Sequence, residues 1–197
     1  MDQATQFITV VSGVPRSGTS LMMQMLHAGG LPVLSDGLRT ADENNQRGYF
    51  EFEPVKRLRS DRSWLPQARG HAVKIIHLLL RELLLDGSLQ YRIVLMQRPL
   101  DEVLASQRTM LQREGKAAPA DAELLKKAFA SQLSQLDTWL AAQPSIAVMP
   151  VPYHQVLREP QSVAEALNNF LGLNLDTAAM VRVVDPALHR QRGPAAM

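Results

Sequence analysis

Four short apolar runs, each ending at a polar or turn residue, stand out along the chain. They span residues 7–12 (FITVVS), 71–76 (HAVKII), 91–97 (YRIVLMQ) and 145–151 (SIAVMPV). Strands that are buried on both faces of a sheet have nearly continuous apolar sequences, because neither face meets water. We therefore predict four buried strands.

Between these runs, apolar residues recur every three to four positions, which predicts amphipathic helices. The first predicted helix, 19–28, ends at Gly29-Gly30, and a short charged helix begins at Pro54. Further helices are predicted over 99–112, 121–142 and 161–171, and the longest has an apolar stripe formed by Leu125, Phe129, Leu133, Leu136 and Leu140. Loops 31–53 and 113–121 are the only ones long enough to act as lids.

The alternation of strands and helices predicts an α/β fold of three layers, with a mostly parallel sheet covered by helices on both faces. Right-handed crossovers bring the loops that follow the strands to one edge of the sheet, where such folds bind ligands. The length of 197 residues suits one domain spanning 1–197.

The composition of the chain argues against several kinds of site and partner. Cysteine is absent, which excludes disulfides, thiolate zinc sites and cysteine nucleophiles, and the five histidines have no metal-site spacing, so we expect no metal. The net charge of +2 gives no reason to expect a nucleic-acid partner. No apolar run reaches the roughly 20 residues of a membrane span, and no leader precedes the first strand. We expect a soluble, cytoplasmic protein.

Residues 13–20 (GVPRSGTS) join the first strand to the first helix. Gly13, Gly18 and Ser20 match the Walker A pattern of phosphate-binding loops, but Thr19 occupies the position of its lysine. Glycines let backbone N–H groups close around a phosphate, and the helix N-terminus favours an anion. A plain turn between strand and helix is the alternative.

The loop resembles the 5′-phosphosulfate loop of sulfotransferases, usually Pro-(Lys/Arg)-Ser-Gly-Thr-(Ser/Thr). The residues that carry the resemblance are Pro15, Arg16, Ser17, Gly18, Thr19 and Ser20. Members of that family use 3′-phosphoadenylylsulfate as donor, need no Mg²⁺ and resemble P-loop kinases in fold. The resemblance implies that these six residues bind the donor, and that the absence of a Walker lysine is expected.

A second family motif, which binds the donor's 3′-phosphate, has an arginine at a strand end and a serine eight residues later. Arg98 and Ser106 have this spacing, although Pro99 follows the arginine where Asp or Asn is usual. A structural arginine at the sheet edge is the alternative. More weakly, residues 184–193 resemble the family's C-terminal basic loop, which would bring Arg190 and Arg192 to the same phosphate. A solvated basic tail is equally compatible with these residues.

For catalysis, the resemblance implies that Lys74 donates to the oxygen that bridges sulfur and phosphorus. An edge lysine that reaches solvent is the alternative. His77 lies near the position of the family's base histidine, and Asp36 lies where tyrosylprotein sulfotransferases have a glutamate. Glu43 and Glu51 remain alternatives for the general base.

The expected function is therefore sulfuryl transfer from 3′-phosphoadenylylsulfate to a hydroxyl or amine. The acceptor is a small molecule, glycan or lipid of unknown identity, and a homodimer is left open. A P-loop small-molecule kinase is the main alternative, but it needs an acidic magnesium ligand at a strand end, and the four strands end at Ser12, Ile76, Gln97 and Val151. A third possibility is a relative of these enzymes that binds the donor but does not catalyse transfer.

Overall fold

The computed structural model describes residues 7–38, 48–117 and 121–185, and within them four strands form one sheet. The strands are β1 (Ile8–Ser12), β2 (Ala72–Lys74), β3 (Tyr91–Gln97) and β4 (Ile146–Pro152). Their order in the sheet is β2-β1-β3-β4, and all three pairings are parallel. The parallel sheet of the predicted α/β fold is confirmed.

Six α-helices connect or follow these strands in the described residues. They are α1 (Thr19–Ala28), α2 (Leu100–Arg113), α3 (Ala122–Ala141), α4 (Tyr153–Arg158), α5 (Pro160–Leu171) and α6 (Thr177–Arg182). Short 3-10 helices occupy Glu53–Arg57, Leu65–Ala68 and His77–Glu82. The side chain of Asp121 caps α3 by accepting from the N–H of Leu124 at 2.8 Å, and Gly172 ends α5 in the left-handed conformation.

Each face of the sheet packs against its own core. Val11, Val94 and Met96 join one core with α1, α5 and α6, whereas Val10 and Ile93 join the other, which contains Leu136 and Leu140 of α3. Neighbouring residues of a strand point to opposite faces, so a continuous apolar strand serves both cores. This packing explains why the strands are apolar along their whole length.

Four elements differ from the sequence prediction. Strand β2 ends at Lys74, because the chain turns at Ile76 into a 3-10 helix, and the segment at Pro54 is also a 3-10 helix. Helices α4 and α6 were not predicted. Each has six residues, too few for an apolar period to emerge, and α6 is recognisable only by its N-cap Asp176, which accepts from the N–H of Ala179.

The register of the sheet sets the position of the candidate site. Val11 of β1 lies beside Lys74 of β2, and Ser12 lies beside Leu95 of β3. The carboxyl ends of β2, β1 and β3 therefore open at one edge. At that edge lie the candidate phosphate-binding loop, Lys74 with the chain after it, and Arg98.

Candidate nucleotide-binding site

The loop between β1 and α1 has a backbone that only glycine suits at two points. Gly13 has φ +151° and Gly18 has φ +103°. A Cβ on Gly13 would lie 2.4 Å from Oγ of Ser17, and one on Gly18 would lie 2.5 Å from Cδ2 of Tyr153. Both glycines are thus required by conformation and by space. The turn is closed by the N–H of Ser17, which donates to the carbonyl of Val14 at 3.2 Å.

The N-terminus of α1 lies at the end of this loop. Gly18 occupies the N-cap position, so no side chain caps the helix, and the first turn contains no acidic residue. Oγ of Ser17 is fully buried without a hydrogen-bond partner among the described residues. Backbone N–H groups at a helix start carry partial positive charge. The loop therefore has the chemistry of an anion cradle.

Arg16 joins the loop to α2. It has a left-handed backbone, with φ 72°, and its Nε donates to Oγ of Ser106 at 3.0 Å. Its own carbonyl accepts from Nη1 of Arg98 at 3.1 Å. Arg98 and Ser106 lie 82 and 90 positions from Arg16 in the sequence, and both contact it in the structure. The two motifs that the sequence analysis singled out are adjacent in space.

Arg98 is held from several sides. Its Nε donates to Oε2 of Glu102 at 3.0 Å, and its guanidinium lies 4.5 Å from the centre of the Tyr153 ring. The other oxygen of Glu102 is 2.9 Å from Nε2 of His154. Burial raises the pKa of the Tyr153 hydroxyl, and the positive charge of Arg98 partly offsets this effect.

Sequence reasoning missed Glu102, Tyr153 and His154. Glu102 had a signal, because it lies four residues after Arg98 in the first turn of a predicted helix, where acidic residues are favourable. The other two lie in α4, which was not predicted.

Lys74 lies at the carboxyl end of β2 and is mostly buried, with 13% of its side chain exposed. Its Nζ donates to the carbonyl of Tyr49 and lies 4.0 Å from Oε1 of Glu51. The returning half of loop 31–53 therefore passes directly over the lysine. A buried lysine needs such polar partners, because an isolated buried charge is strongly unfavourable.

Solved structures of sulfotransferases share this architecture. The sulfotransferase domain from the curacin biosynthetic pathway superimposes with a TM-score of 0.56 at 12% identity, covering 96% of this chain and 93% of that one. The sulfotransferase domain of the Synechococcus PCC 7002 olefin synthase gives a TM-score of 0.53 at 16% identity, with 96% and 89% covered. Mouse sulfotransferase SULT7A1 complexed with PAP superimposes with a TM-score of 0.51 at 12% identity, covering 99% of this chain and 68% of that one.

The chain has a sulfotransferase-like α/β fold. No protein-family model matches the sequence, and neither does any curated protein. At these identities the structural likeness establishes the fold alone.

Asp36, one of the candidate bases, is hydrogen-bonded to backbone N–H groups of its own loop. It is exposed, and its carboxylate accepts from the N–H of Leu38 at 3.0 Å and from the N–H of Glu53 at 2.5 Å. These two hydrogen bonds lower the pKa of the Asp36 carboxyl. Its own N–H donates to the carbonyl of Glu51 at 3.1 Å. Asp36 thus ties the two halves of loop 31–53 together.

His77 is buried next to the candidate phosphate-binding loop. Its Nε2 is 2.9 Å from Oε1 of Gln132 on α3, and its ring packs edge-on against Phe129. Its backbone N–H donates to the carbonyl of Gly13 at 3.3 Å. The imidazole therefore lies in the contact between the 3-10 helix His77–Glu82 and α3.

Three other candidates, Glu43, Arg190 and Arg192, lie outside the described residues. Across 7–38, 48–117 and 121–185, no group of three or more His, Asp or Glu residues could hold a metal ion. None of the helices described in those ranges is long and apolar enough to cross a membrane.

Proposed function

We propose that this chain is a sulfotransferase that moves a sulfuryl group from 3′-phosphoadenylylsulfate to a hydroxyl or amine. The observation that carries the proposal is the contact of Arg16 with both Ser106 and Arg98. A donor with phosphates at its 5′ and 3′ positions needs two phosphate sites about one nucleoside apart. In the proposal, the loop and the Arg98–Ser106 pair are these two sites, and they lie on neighbouring elements. The solved complex of mouse SULT7A1 with PAP supports this choice of nucleotide.

In this proposal the 5′-phosphosulfate lies in the loop of residues 15–20, against the N-terminus of α1. Backbone N–H groups and the hydroxyls of Ser17, Thr19 and Ser20 are suited to its oxygens. Arg98 and Ser106 bind the 3′-phosphate, since the planar guanidinium matches phosphate geometry. Arg16 lies between the two phosphates. No step requires a metal ligand.

The chemical step forms a bond between the acceptor oxygen or nitrogen and sulfur, and breaks the bond from sulfur to the bridging oxygen. The electron pair of that bond leaves on the phosphate oxygen, which needs a cation or donor beside it. Lys74 is our choice, because it lies at the carboxyl end of β2 beside Val11 of β1, the strand from which the loop departs. A base must take the acceptor's proton.

Among the candidate bases, Glu51 is better supported than Asp36 or His77. Its carboxylate approaches Lys74, so a proton acceptor and a leaving-group donor lie side by side. Asp36 is a weaker base, because backbone hydrogen bonds lower the pKa of its carboxyl. His77 is buried against Gln132 and Phe129, away from solvent.

A rate comparison tests this choice. Glu51→Gln should lower kcat by about 10²–10⁴, the usual contribution of a general base, while Asp36→Asn leaves it within a few fold. Hydrolysis of the donor by water serves as the assay until an acceptor is found. A larger loss of kcat in Asp36→Asn than in Glu51→Gln would instead identify Asp36 as the general base.

The donor itself is tested by thermal unfolding with two nucleotides. Adenosine 3′,5′-bisphosphate without metal should stabilise the protein by about 2.7 kcal/mol at 100 times its Kd. ATP with Mg²⁺ should stabilise it much less, because Thr19 replaces the lysine that reaches a γ-phosphate. Stronger stabilisation by ATP with Mg²⁺, or magnesium-dependent ATP hydrolysis, would favour a kinase.

A further inference from the structure

Glu102 is a buried carboxylate that the proposed reaction does not use. It lies in the first turn of α2, and its side chain is only 4% exposed. One of its oxygens lies 3.0 Å from Nε of Arg98, and the other lies 2.9 Å from Nε2 of His154. It therefore connects the end of β3 to the start of α4. A buried carboxylate requires such partners, because its charge has lost the solvation of water.

The contacts of Arg98 define the plane of its guanidinium. Nε is directed to Glu102 and Nη1 to the carbonyl of Arg16, while the Tyr153 ring covers one face at 4.5 Å. Because the donors of an arginine lie in one rigid plane, directing two of them orients the whole group. Glu102 is the acidic side chain among these contacts.

Charge alone makes Glu102 unfavourable in this position. A carboxylate bonded to Arg98 repels a phosphate that binds to the same arginine. Any benefit to phosphate binding must therefore come from the direction that Glu102 imposes on the guanidinium. The orientation that Glu102 gives to Arg98 should strengthen phosphate binding, whereas its negative charge should weaken it. Substitutions of Glu102 can separate these two effects.

We propose that Glu102 is a positioning residue, which holds the guanidinium of Arg98 in the orientation that recognises the donor's 3′-phosphate. The proposal rests on the proposed function, since it takes Arg98 as the ligand of that phosphate. Glu102 acts through Arg98 and touches no part of the donor. Nε2 of His154 lies 2.9 Å from the second carboxylate oxygen, so each oxygen of Glu102 has a nitrogen atom beside it.

Two conservative substitutions test the proposal. Glu102→Asp keeps the charge but withdraws the carboxylate from Arg98 by one methylene, whereas Glu102→Gln keeps the reach and loses the charge. The measurement is the ratio of the Kd values for adenosine 5′-phosphate and adenosine 3′,5′-bisphosphate, by titration calorimetry. We expect Glu102→Asp to lower this ratio about tenfold, the lower range for one charge-assisted contact, and Glu102→Gln to keep it within about threefold of the parent.

Two controls separate positioning from a general structural role. Asp101→Asn changes the neighbouring carboxylate, which is exposed and pairs with Lys126, and should leave the ratio unchanged. In an Arg98→Ala background, Glu102→Asp should have no further effect on the ratio, because the group that it positions is absent. A loss of folding stability that weakens both nucleotides equally would indicate a structural role and would overturn the proposal.

The remaining outcomes are also decisive. If Glu102→Gln lowers the ratio and Glu102→Asp does not, the carboxylate acts through its charge and the positioning role is wrong. An unchanged ratio in both variants, with the bisphosphate still bound, would overturn this inference and leave the proposed function intact. Failure of the parent protein to bind adenosine 3′,5′-bisphosphate would contradict the proposed function and the inference together.

Discussion

The two halves of the candidate site are built in different ways. The half proposed for the donor consists of the β1–α1 loop, the start of α2 and the start of α4, and its members contact each other through Arg16 and Arg98. The half proposed for catalysis is a loop segment, 48–53, that passes over Lys74 and contains exposed or half-buried carboxylates. In the proposed function, nucleotide recognition thus uses a short loop held between regular elements, and catalysis uses a longer loop.

The largest expected effect is in the donor half. Gly18→Ala should abolish nucleotide binding, because the added methyl group meets the Tyr153 ring and the residue must keep a positive φ. Titration calorimetry with adenosine 3′,5′-bisphosphate measures this loss, and circular dichroism checks that the fold persists.

Gly30→Ala is the matched control for that substitution. Gly30 also has a positive φ, +94°, but nothing lies within 4 Å of an added Cβ. Both variants should lose stability, by about 1–3 kcal/mol for the backbone strain. Only the Gly18 variant should lose the nucleotide, and equal binding by the two proteins would remove the loop from the site.

The next largest effect should separate the catalytic half of the site from the donor half. Lys74→Ala should lower kcat and kcat/KM together by about 10²–10³ while the Kd of the donor stays nearly unchanged, because its contact with the bridging oxygen strengthens only as the bond breaks. Lys56→Ala is the control, since that lysine is exposed and pairs with Glu53. A Lys74→Ala protein that hydrolyses the donor at the parental rate would make Arg16 the better candidate for the cation.

Local patterns in the sequence predict only part of the fold and of the candidate site. Strands β1 and β3, helices α1 and α2 and the spacing of Arg98 and Ser106 follow from local patterns, and the structure confirms the elements. The contact between Arg16 and Ser106 could not be predicted, because it depends on how α2 packs beside the loop. The path of residues 48–53 over Lys74 has no periodic signal, and α4, which brings Tyr153, is too short to show one.

The smallest expected effect is on folding stability, through Asp36, which is hydrogen-bonded to Glu53 of the catalytic half. Hydrogen bonds from the N–H groups of Leu38 and Glu53 lower the pKa of Asp36 below 3.8, so its ionised form stabilises the folded state. That stability is complete well above pH 3.8 and disappears as the pH falls through the lower folded pKa. Asp36→Asn should therefore be less stable than the parent at pH 7, with a difference that shrinks in acid. Urea unfolding at several pH values measures it, and a constant difference would assign the loss to other contacts.

The central claim is that two phosphate sites lie on either side of Arg16, and titration of Arg98→Ala tests it most directly. The variant should bind adenosine 3′,5′-bisphosphate about 10–100 times more weakly than the parent, which is the loss of a charge-assisted phosphate contact. Its Kd for adenosine 5′-phosphate should change little, and Arg108→Ala, an exposed arginine on the same helix, should change neither. Equal losses for the two nucleotides in the Arg98→Ala protein would contradict the account.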